Sequence, residues 1–232
     1  DNWKFAHEYR SSIHKTLSAK RYHLMNVCFI PCRAGSKSVP RKNHLLIKGK
    51  PLFQLAIDQA IEANIFDLII VSTNDEEILA TSQLSDVTLL RRPEDLSSDE
   101  SSTEIGVFHA LKELQISDGS LSLLQCTSPL RKIGTVIKGF DLIDTHPEST
   151  IIGVRQVQDS HPARIYKLTR DGYLESFVPL EEKNRRQDLS LAYHRNGSFY
   201  GTRISRLLNE ESLISKKVIP LICDERESVN ID

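Results

Sequence analysis

The side chains best suited to chemistry are concentrated in residues 31–43, a loop that follows a short apolar run. Gly35 lets the backbone approach a ligand closely, and consecutive exposed N–H groups in such a loop form a concavity for anions. Four cations would add charge-assisted hydrogen bonds to it: Arg33, Lys37, Arg41 and Lys42. The loop therefore predicts a phosphate site, although its spacing is neither that of a P-loop nor G-x-G-x-x-G. From composition alone, a solvated basic loop is the alternative.

Short apolar runs alternate with amphipathic stretches, which indicates an α/β fold with a mostly parallel twisted sheet and flanking helices. The predicted strands are Val27–Ile30, Leu68–Val71, Val87–Leu90, Leu121–Leu124 and Ile151–Val154. The predicted helices include Pro51–Asn64, one that starts at Asp75 with a cap in Ser72–Asn74, and one with Ile105, Phe108, Leu111 and Leu114 on its inner side. Ligands bind such sheets at the carboxyl ends of the strands. Those ends are polar and partly cationic, which favours a ligand site over a solvated loop.

The strand–helix alternation changes after Val154. Ile165–Leu168 and Tyr173–Val178 flank an Asp-Gly pair, which is a strong β-hairpin signal. We expect residues 155–190 to form a small β-rich insertion, of the kind that serves as a lid or a subunit contact. A strand at Ser198–Thr202, a helix near Ser205–Leu213 and a strand at Val218–Cys223 then return to the core.

Residues 1–24 stand apart from the α/β pattern and are expected to form an N-terminal helical extension or a linker before one main domain at 25–232. Their apolar side chains recur every four positions, at Phe5, Tyr9, Ile13 and Leu17. The formal charge of −1 argues against nucleic acid binding. No apolar run approaches the ~18–20 residues of a membrane span and no signal-peptide pattern is visible, so we expect a cytoplasmic protein. The four cysteines lack C-x-x-C spacing and are predicted to be buried free thiols.

Seven short segments, taken in order, resemble the CMP-sialic acid synthetase (N-acylneuraminate cytidylyltransferase) family over about residues 26–232. They are Pro31–Asn43, Val71–Asp75, Arg91–Asp99, Leu124–Arg131, Arg185–Asp188, Asn196–Tyr200 and Ser228–Asp232. Each segment alone is a weak signal, whereas all seven in the family's order are specific. The resemblance implies a Rossmann-like nucleotidyltransferase fold and a homodimer in which the β insertion at 155–190 reaches the neighbouring active site.

The resemblance also implies the site residues. Arg33, Ser36 and Lys42 would hold the CTP triphosphate, while Asn43 and Arg92 would lie near the cytidine, with Arg91 as a less certain neighbour. The acid sugar would be contacted by Thr103, Gln125, Arg164, Arg186, Asn196 and Tyr200. Arg164 would be able to act in trans, from the partner subunit. Arg33, Lys42 and Asp232 are the residues expected to carry the catalysis.

The implied reaction is attack of the anomeric hydroxyl of a nine-carbon 2-keto acid on the α-phosphorus of CTP, with pyrophosphate as leaving group. The triphosphate and the sugar carboxylate are both anions, so cationic side chains and Mg²⁺ have to screen their repulsion. The remaining requirement is alignment of the reacting groups. Asp232 is the best metal-ligand candidate, and Asn230 stands where many relatives have a second carboxylate. Asp224 or Glu227 could assist, so the number of metal ions is open. The general base is also open, between a metal-lowered pKa of the sugar hydroxyl and a nearby carboxylate.

Two alternatives remain at this point. A cytidylyltransferase for the eight-carbon acid Kdo would share fold and chemistry, but its loop runs Arg-x-x-Ser-x-Arg-Leu-Pro-Gly-Lys, whereas Lys37 and Lys42-Asn43 favour the sialic type. Legionaminic and pseudaminic acids are further substrates within the nine-carbon class. A non-catalytic nucleotide-sugar binding module in a longer protein is the second alternative, suggested by the unexplained N-terminal stretch and by Asn230.

Overall fold

A central seven-stranded sheet organises the part of the chain that the computed structural model describes, which is residues 24–35, 39–81, 86–98, 101–157, 160–178 and 189–231. The strands are β1 (Asn26–Pro31), β2 (Leu46–Ile47), β3 (Lys50–Pro51), β4 (Leu68–Thr73), β5 (Thr88–Arg91), β6 (Ser120–Leu123), β7 (Thr150–Gln156), β8 (Tyr166–Leu168), β9 (Leu174–Ser176), β10 (Tyr193–Arg203) and β11 (Val218–Ile222). The helices are α1 (Leu52–Ala63), α2 (Glu76–Leu79), α3 (Thr103–Glu113), α4 (Ile133–Thr145) and α5 (Ile204–Glu210).

The strand order in the large sheet is β11-β7-β10-β6-β1-β4-β5. β1 pairs in parallel with β4 and β6, β4 with β5, and β7 with β11, so the prediction of a mostly parallel α/β sheet with flanking helices is confirmed. β10 runs antiparallel to both of its neighbours, β6 and β7. The predicted strand at Ser198–Thr202 is therefore the second half of a longer antiparallel strand in the middle of the sheet.

The hydrophobic core lies on both faces of this sheet. Within β1, Cys28 and Ile30 join the cluster under α1 and α4, while Val27 and Phe29 join the cluster under α3 and α5. This two-sided burial explains why Val27–Ile30 in β1 and Leu68–Val71 in β4 are continuously apolar in sequence. Burying a side chain such as Ile30 stabilises the fold by about 1.5–3 kcal/mol, so the strands that support the site are firmly anchored.

Two local predictions need correction. Asp75 is not the first residue of α2 but its N-cap, because its side chain accepts from the backbone N–H groups of Glu77 and Ile78. In α3 the buried residues are Gly106, Val107, Ala110 and Leu111, whereas Ile105 is exposed. Phe108 and Leu114 pack against the same core cluster as Leu111, so the predicted inner side is confirmed for these three residues and is wrong only for Ile105. Helix α4 was not picked out from the sequence as a separate element.

The β-hairpin predicted between residues 165 and 178 is confirmed as a small separate sheet of β8 and β9, closed by a turn with Gly172 at φ 84. The expected N-terminal helix at 1–24 falls almost entirely outside the described residues, as do 179–188 of the insertion. The proposed domain boundaries therefore stay predictions. No helix in the described ranges is long and apolar enough to cross a membrane.

Candidate active site

A cavity of about 250 Å³ opens beyond the carboxyl ends of β1 and β6. Its lining residues are Pro31, Arg33, Gly35, Lys42, Asn43, Arg92, Ser101, Thr103, Gln125, Cys126 and Thr127. Six of the residues selected from the sequence thus meet in one place, namely Arg33, Lys42, Asn43, Arg92, Thr103 and Gln125. The structure brings them together, while the role of each one stays a prediction.

The first part of the basic loop is fixed by the end of β4. Thr73 Oγ1 donates to the carbonyl of Cys32 at 2.6 Å, and the N–H of Ala34 donates to Asn74 Oδ1 at 2.8 Å. The other side of the loop is tied back to its start, because Asn43 Nδ2 donates to the carbonyl of Arg33 at 2.9 Å. The loop therefore presents Arg33 and Asn43 to the cavity from a hydrogen-bonded frame.

Arg92 is a buried cation in the wall of the cavity. Its side chain is only 3% exposed, and its Nε donates to Ser72 Oγ at 3.0 Å. No carboxylate of the described residues lies within 4.0 Å of its guanidinium, and burial lowers its pKa. Removing a charge from water without a counter-ion is costly. An anion that enters the cavity would offset this cost, so Arg92 favours a negatively charged ligand.

Arg91, the neighbouring residue, has a different environment. It is largely exposed and forms an ion pair with Glu76 at the start of α2. It does not line the cavity. The less certain of the two arginines predicted near the cytidine therefore belongs to the surface, where an ion pair contributes little.

Arg131 is a residue near the site that sequence reasoning did not select. Its guanidinium is buried, and it donates to the carbonyl of Gln125 at 2.7 Å, to Gln59 Oε1 at 2.7 Å and to the carbonyl of Ser198. Burial lowers the pKa of Arg131 to about 10. Arg131 thus joins three segments behind the cavity and holds the backbone of Gln125. An arginine directly after Thr-Ser-Pro-Leu at a strand end was the available signal.

A bulge in β10 shapes the wall next to Gln125. The pairing with β7 shifts register between Arg195 and Tyr200. Gly197, inside the bulge, has φ 73, and a Cβ placed there would lie 2.5 Å from Gln125 Oε1. The absence of a side chain at this position therefore lets Gln125 pack against the bulge.

Asn196 holds the bulge from inside. It is 3% exposed, its Oδ1 accepts from the N–H and the hydroxyl of Ser198, and its Nδ2 donates to Ser228 Oγ at 2.9 Å. The amide oxygen and one amide N–H of Asn196 are thus used within the protein. Asn196 does not line the cavity, so the geometry gives it a positioning role beside its predicted contact with the sugar.

The remaining sugar-binding candidates lie away from the cavity wall. Tyr200 is half-buried and packs against the core cluster under α3 and α5, and burial raises its pKa. Arg164 is exposed in a 3₁₀ turn of the insertion. Three further predicted residues, Ser36, Arg186 and Asp232, lie outside the described residues.

Residues 27–168 match a sequence family described as cytidylyltransferase. The chain belongs to this family. It is 31% identical over 211 residues to the N-acylneuraminate cytidylyltransferase of Streptococcus agalactiae serotype V, a match that covers 89% of the chain and 50% of the relative. The chain thus spans about half the length of that relative. The family resemblance predicted from the seven segments is confirmed.

Two shorter relatives match over most of their own length. The pseudaminic acid cytidylyltransferase of Campylobacter jejuni is 31% identical over 214 residues, which cover 87% of the chain and 90% of the relative. The CMP-N,N'-diacetyllegionaminic acid synthase of Legionella pneumophila is 31% identical over 212 residues, covering 88% and 89%. A solved CMP:2-keto-3-deoxy-manno-octonic acid synthetase complexed with CTP has a TM-score of 0.63 at 16% identity, over 86% of the chain and 90% of that structure, which shows the family fold.

The C-terminal segment, where the resemblance places metal ligands, adjoins the cavity. The N–H of Ile231 donates at 2.9 Å to the carbonyl of Thr127, which lines the cavity. Asn230 precedes it and is exposed. An amide oxygen is the kind of hard donor that Mg²⁺ accepts beside phosphate oxygens and waters, so Asn230 fits such an ion as one ligand.

The acidic residues upstream of Asn230 have other partners. Asp224 and Glu227 both accept from Lys132 Nζ, and Glu227 Oε2 accepts from Thr135 at 2.6 Å. These bonds fasten the C-terminal segment to the first turn of α4. Within the described ranges no group of three or more His, Cys, Asp or Glu could hold a metal ion. Asp224 and Glu227 therefore have structural partners in this arrangement, and their assistance to a metal ion stays a prediction.

The cysteines confirm the prediction of buried free thiols. Cys32 Sγ lies 3.1 Å from Cys126 Sγ, directly behind the cavity wall. The hydrogen bond between the two thiols and their burial raise the pKa of Cys32. A thiol kept in its neutral form is a poor nucleophile, so Cys32 packs the wall rather than acting as a nucleophile.

Proposed function

We propose that the protein uses CTP to activate a nine-carbon 2-keto acid sugar of the sialic type, giving the CMP-sugar and pyrophosphate. The observation that carries this proposal is the buried guanidinium of Arg92 in a cavity that Arg33 and Lys42 also line. Charge-assisted hydrogen bonds from such cations suit a triphosphate. Membership of the cytidylyltransferase family supports cytidine as the nucleoside.

The reaction needs positioning and charge neutralisation more than covalent chemistry. The anomeric oxygen forms a bond to the α-phosphorus of CTP, the bond from that phosphorus to the bridging oxygen breaks, and pyrophosphate leaves with the electron pair. Arg33 and Lys42 stabilise the negative charge on the phosphates, which is greatest as the leaving group departs. We assign Arg92 to the phosphates as well, rather than to the cytidine alone as the resemblance implies, because its buried charge favours an anion. The hydroxyl proton passes to a base that we leave unassigned.

The acid sugar would bind on the side of the cavity formed by Thr103 and Gln125. Gln125 is held from behind by Arg131 and by the bulge at Gly197, which supports a fixed orientation of its amide toward the sugar. Asn196 acts on this side through the bulge. Tyr200 would contact the sugar from β10, and Arg164 and Arg186 would reach it from the insertion.

Mg²⁺ is the proposed cofactor, held by Asn230 and Asp232 together with phosphate oxygens and waters. When bound, it would neutralise part of the triphosphate charge. Asp232→Ala should reduce CTP-dependent turnover by at least about a hundredfold at millimolar Mg²⁺, whereas Glu225→Ala, an exposed acidic neighbour, should leave it unchanged. Near-normal turnover of Asp232→Ala would reject Asp232 as the ligand.

A homodimer is the proposed assembly, because the hairpin of β8 and β9 exposes a large apolar surface. Leu168, Tyr173, Leu174 and Phe177 are each 66–74% exposed. Contiguous apolar surface of this kind marks an interaction site. A second copy of the chain would cover it and bring Arg164 of the insertion toward the neighbouring cavity.

The identity of the acid is the open part of the proposal. Relatives named for N-acylneuraminic, pseudaminic and legionaminic acids are all 31% identical to the chain. Pseudaminic and legionaminic acids are therefore the second candidate substrates, beside the sialic type. The test is pyrophosphate release from CTP with each of these acids and with Kdo, at equal concentrations.

Turnover with at least one nine-carbon acid, and little with Kdo, is the expected result. Preference for Kdo would show that the protein is a Kdo-type cytidylyltransferase instead. Absence of pyrophosphate release with every acid, in a preparation that binds CTP, would refute the enzyme and identify a nucleotide-sugar binding module.

A further inference from the structure

The basic loop is fastened at both of its ends to one short turn after β4. At the start, the N–H of Ala34 donates to Asn74 Oδ1. At the end, His44 Nε2 lies 2.7 Å from Asp75 Oδ2. Because Asn74 and Asp75 are consecutive, one rigid strand end sets the separation of the two ends of the loop.

His44 closes the 3₁₀ turn that carries two cavity residues. The turn spans Lys42–His44, so Lys42 and Asn43 directly precede His44. The His44 ring packs edge-on against Phe53 in α1, with the centroids 5.6 Å apart. The position of His44 therefore determines the backbone position of Lys42 and Asn43, and with it the place of their side chains at the cavity.

The backbone that enters this turn is in an unfavourable conformation. Arg41 has φ 53 and ψ 34, which is the left-handed region that residues other than glycine seldom adopt. Such a conformation persists when surrounding contacts determine it. The Arg41–Glu77 ion pair is mostly exposed on both sides and contributes little, whereas the His44–Asp75 bond is largely shielded from solvent. The shielded bond is the stronger of the two restraints.

Asp75 is well suited to hold His44 because its two oxygens have separate tasks. Oδ1 caps α2 by accepting from the N–H of Glu77 at 3.0 Å, and Oδ2 forms the hydrogen bond with His44 Nε2. Burial would raise the pKa of Asp75, but the hydrogen bond and charge of His44 and the helix N–H groups lower it overall. The acceptor therefore stays ionised, and the ionised acceptor makes the stronger hydrogen bond.

We propose that His44 is a positioning residue for nucleotide binding, which acts by bonding Asp75 and so holding Lys42 and Asn43 in the cavity. The inference rests on the proposed function, since it assumes that the cavity takes CTP. It assigns His44 no contact with substrate. It predicts that the bond matters for binding of the nucleotide rather than for the chemical step.

The test compares variants that remove the bond in different ways. His44→Phe keeps an aromatic ring against Phe53 but has no donor, and His44→Gln keeps a side-chain N–H donor. Asp75→Ser keeps an N-cap oxygen but is too short to reach His44. Glu76→Gln, which weakens the exposed Arg91–Glu76 ion pair at the start of α2 and leaves His44 untouched, is the matched control.

We expect His44→Phe and Asp75→Ser each to raise KM for CTP about tenfold, with kcat changed less than about threefold. His44→Gln should recover most of the loss, and Glu76→Gln should change KM less than about twofold. The double variant His44→Phe/Asp75→Ser should be no worse than either single variant, because both remove the same bond. A purely structural role would lower the melting temperature without this split between KM and kcat.

Calorimetric titration with CTP alone measures nucleotide affinity without the chemical step. It therefore tests the role of His44 separately from the proposed enzyme activity. If the wild type binds CTP but releases no pyrophosphate with any acid, the proposed enzyme fails, and weaker CTP binding by His44→Phe still supports the role of His44. Wild-type affinity in His44→Phe and Asp75→Ser, or additive losses in the double variant, would overturn it. If His44→Phe does not fold, Asp75→Ser decides alone.

Discussion

Arg92 and Arg131 are both buried and positively charged, but their hydrogen-bond partners differ. The difference indicates ligand binding for Arg92 and structural support for Arg131. Arg131 donates to two carbonyls and one amide oxygen, so its guanidinium is used within the fold. The guanidinium of Arg92 donates only to Ser72 among the described residues and lies in the cavity wall. The charge of Arg92 is thus available to a ligand, whereas that of Arg131 stiffens the segment that carries Gln125.

Arg92→Met should weaken CTP binding by at least about tenfold, because a hydrogen bond to a charged group contributes about 1.5–3 kcal/mol. The melting temperature of the CTP-free protein should fall by less than about 4 °C, since methionine fills the space of the guanidinium stem and removes a buried charge. Calorimetric titration and thermal unfolding measure the two effects. Arg91→Met, at the exposed neighbour, is the control and should bind CTP normally. Equal loss in both variants would contradict the role given to Arg92.

The six cavity residues could be predicted from the family resemblance, and Arg33, Arg92 and Gln125 also lie within two residues of a strand end, where the α/β pattern places ligand-binding groups. The contacts behind them could not. His44 and Asp75 are 31 residues apart and Arg131 and Ser198 are 67 apart. Such pairs depend on how the strands are ordered in the sheet. A single sequence shows the polarity of these residues but not their partners.

At the scale of elements, the bulge in β10 is the feature that the sequence pattern missed. A strand was predicted at Ser198–Thr202, but the strand begins at Tyr193, and its pairing with β7 shifts register between Arg195 and Tyr200. Gly153 of β7 makes room for it, because a Cβ there would collide with the Ser198 hydroxyl and lie 2.8 Å from Asn196 Oδ1. The glycine that permits the bulge therefore lies on a different strand, which local periodicity does not reveal.

Gly197→Ala should impair use of the acid sugar while leaving CTP binding intact. The new Cβ would push against Gln125 Oε1, and a displacement of a positioning group by about 1 Å can cost up to about a hundredfold in rate. We expect KM for the acid to rise at least about tenfold, measured with CTP saturating.

Gly172→Ala is the matched control for this change. Gly172 also has a positive φ, 84, but a Cβ there meets nothing within 4 Å. Both variants should lose about 1–2 kcal/mol of stability from the left-handed backbone, and only Gly197→Ala should lose affinity for the sugar. A similar KM in both variants would show that the close contact with Gln125 is unimportant.

At the scale of the whole molecule, the apolar surface is unevenly distributed. The large sheet is covered by helices on both faces, whereas the hairpin of β8 and β9 is exposed. Leu168 and Leu174 are paired across the hairpin and are 73% and 68% exposed. Cross-strand pairs of this kind stabilise a sheet when they are covered, which is consistent with the proposed dimer.

Replacing both Leu168 and Leu174 with Glu should convert the dimer to a monomer, because four like charges would meet in the interface. Light scattering coupled to size exclusion measures the mass, and the activity of the same fractions tests whether the insertion acts in trans. Arg170→Glu, at the tip of the hairpin, is the control and should remain dimeric. A wild-type protein that is monomeric at micromolar concentration would contradict the proposal.

The place of β10 in the sheet has a consequence for how the chain folds. β10 lies between β6 and β7 but follows both in sequence, so the two halves of the sheet cannot join until residue 203 is available. During synthesis, β1, β4, β5 and β6 can assemble while β6 still has an open edge that includes Leu121 and Leu123. Unpaired apolar edges are the sites at which incomplete chains associate with each other. β10, which shapes the sugar side of the cavity, is synthesised late. Its pairing with β6 covers this edge and thereby reduces the risk of aggregation.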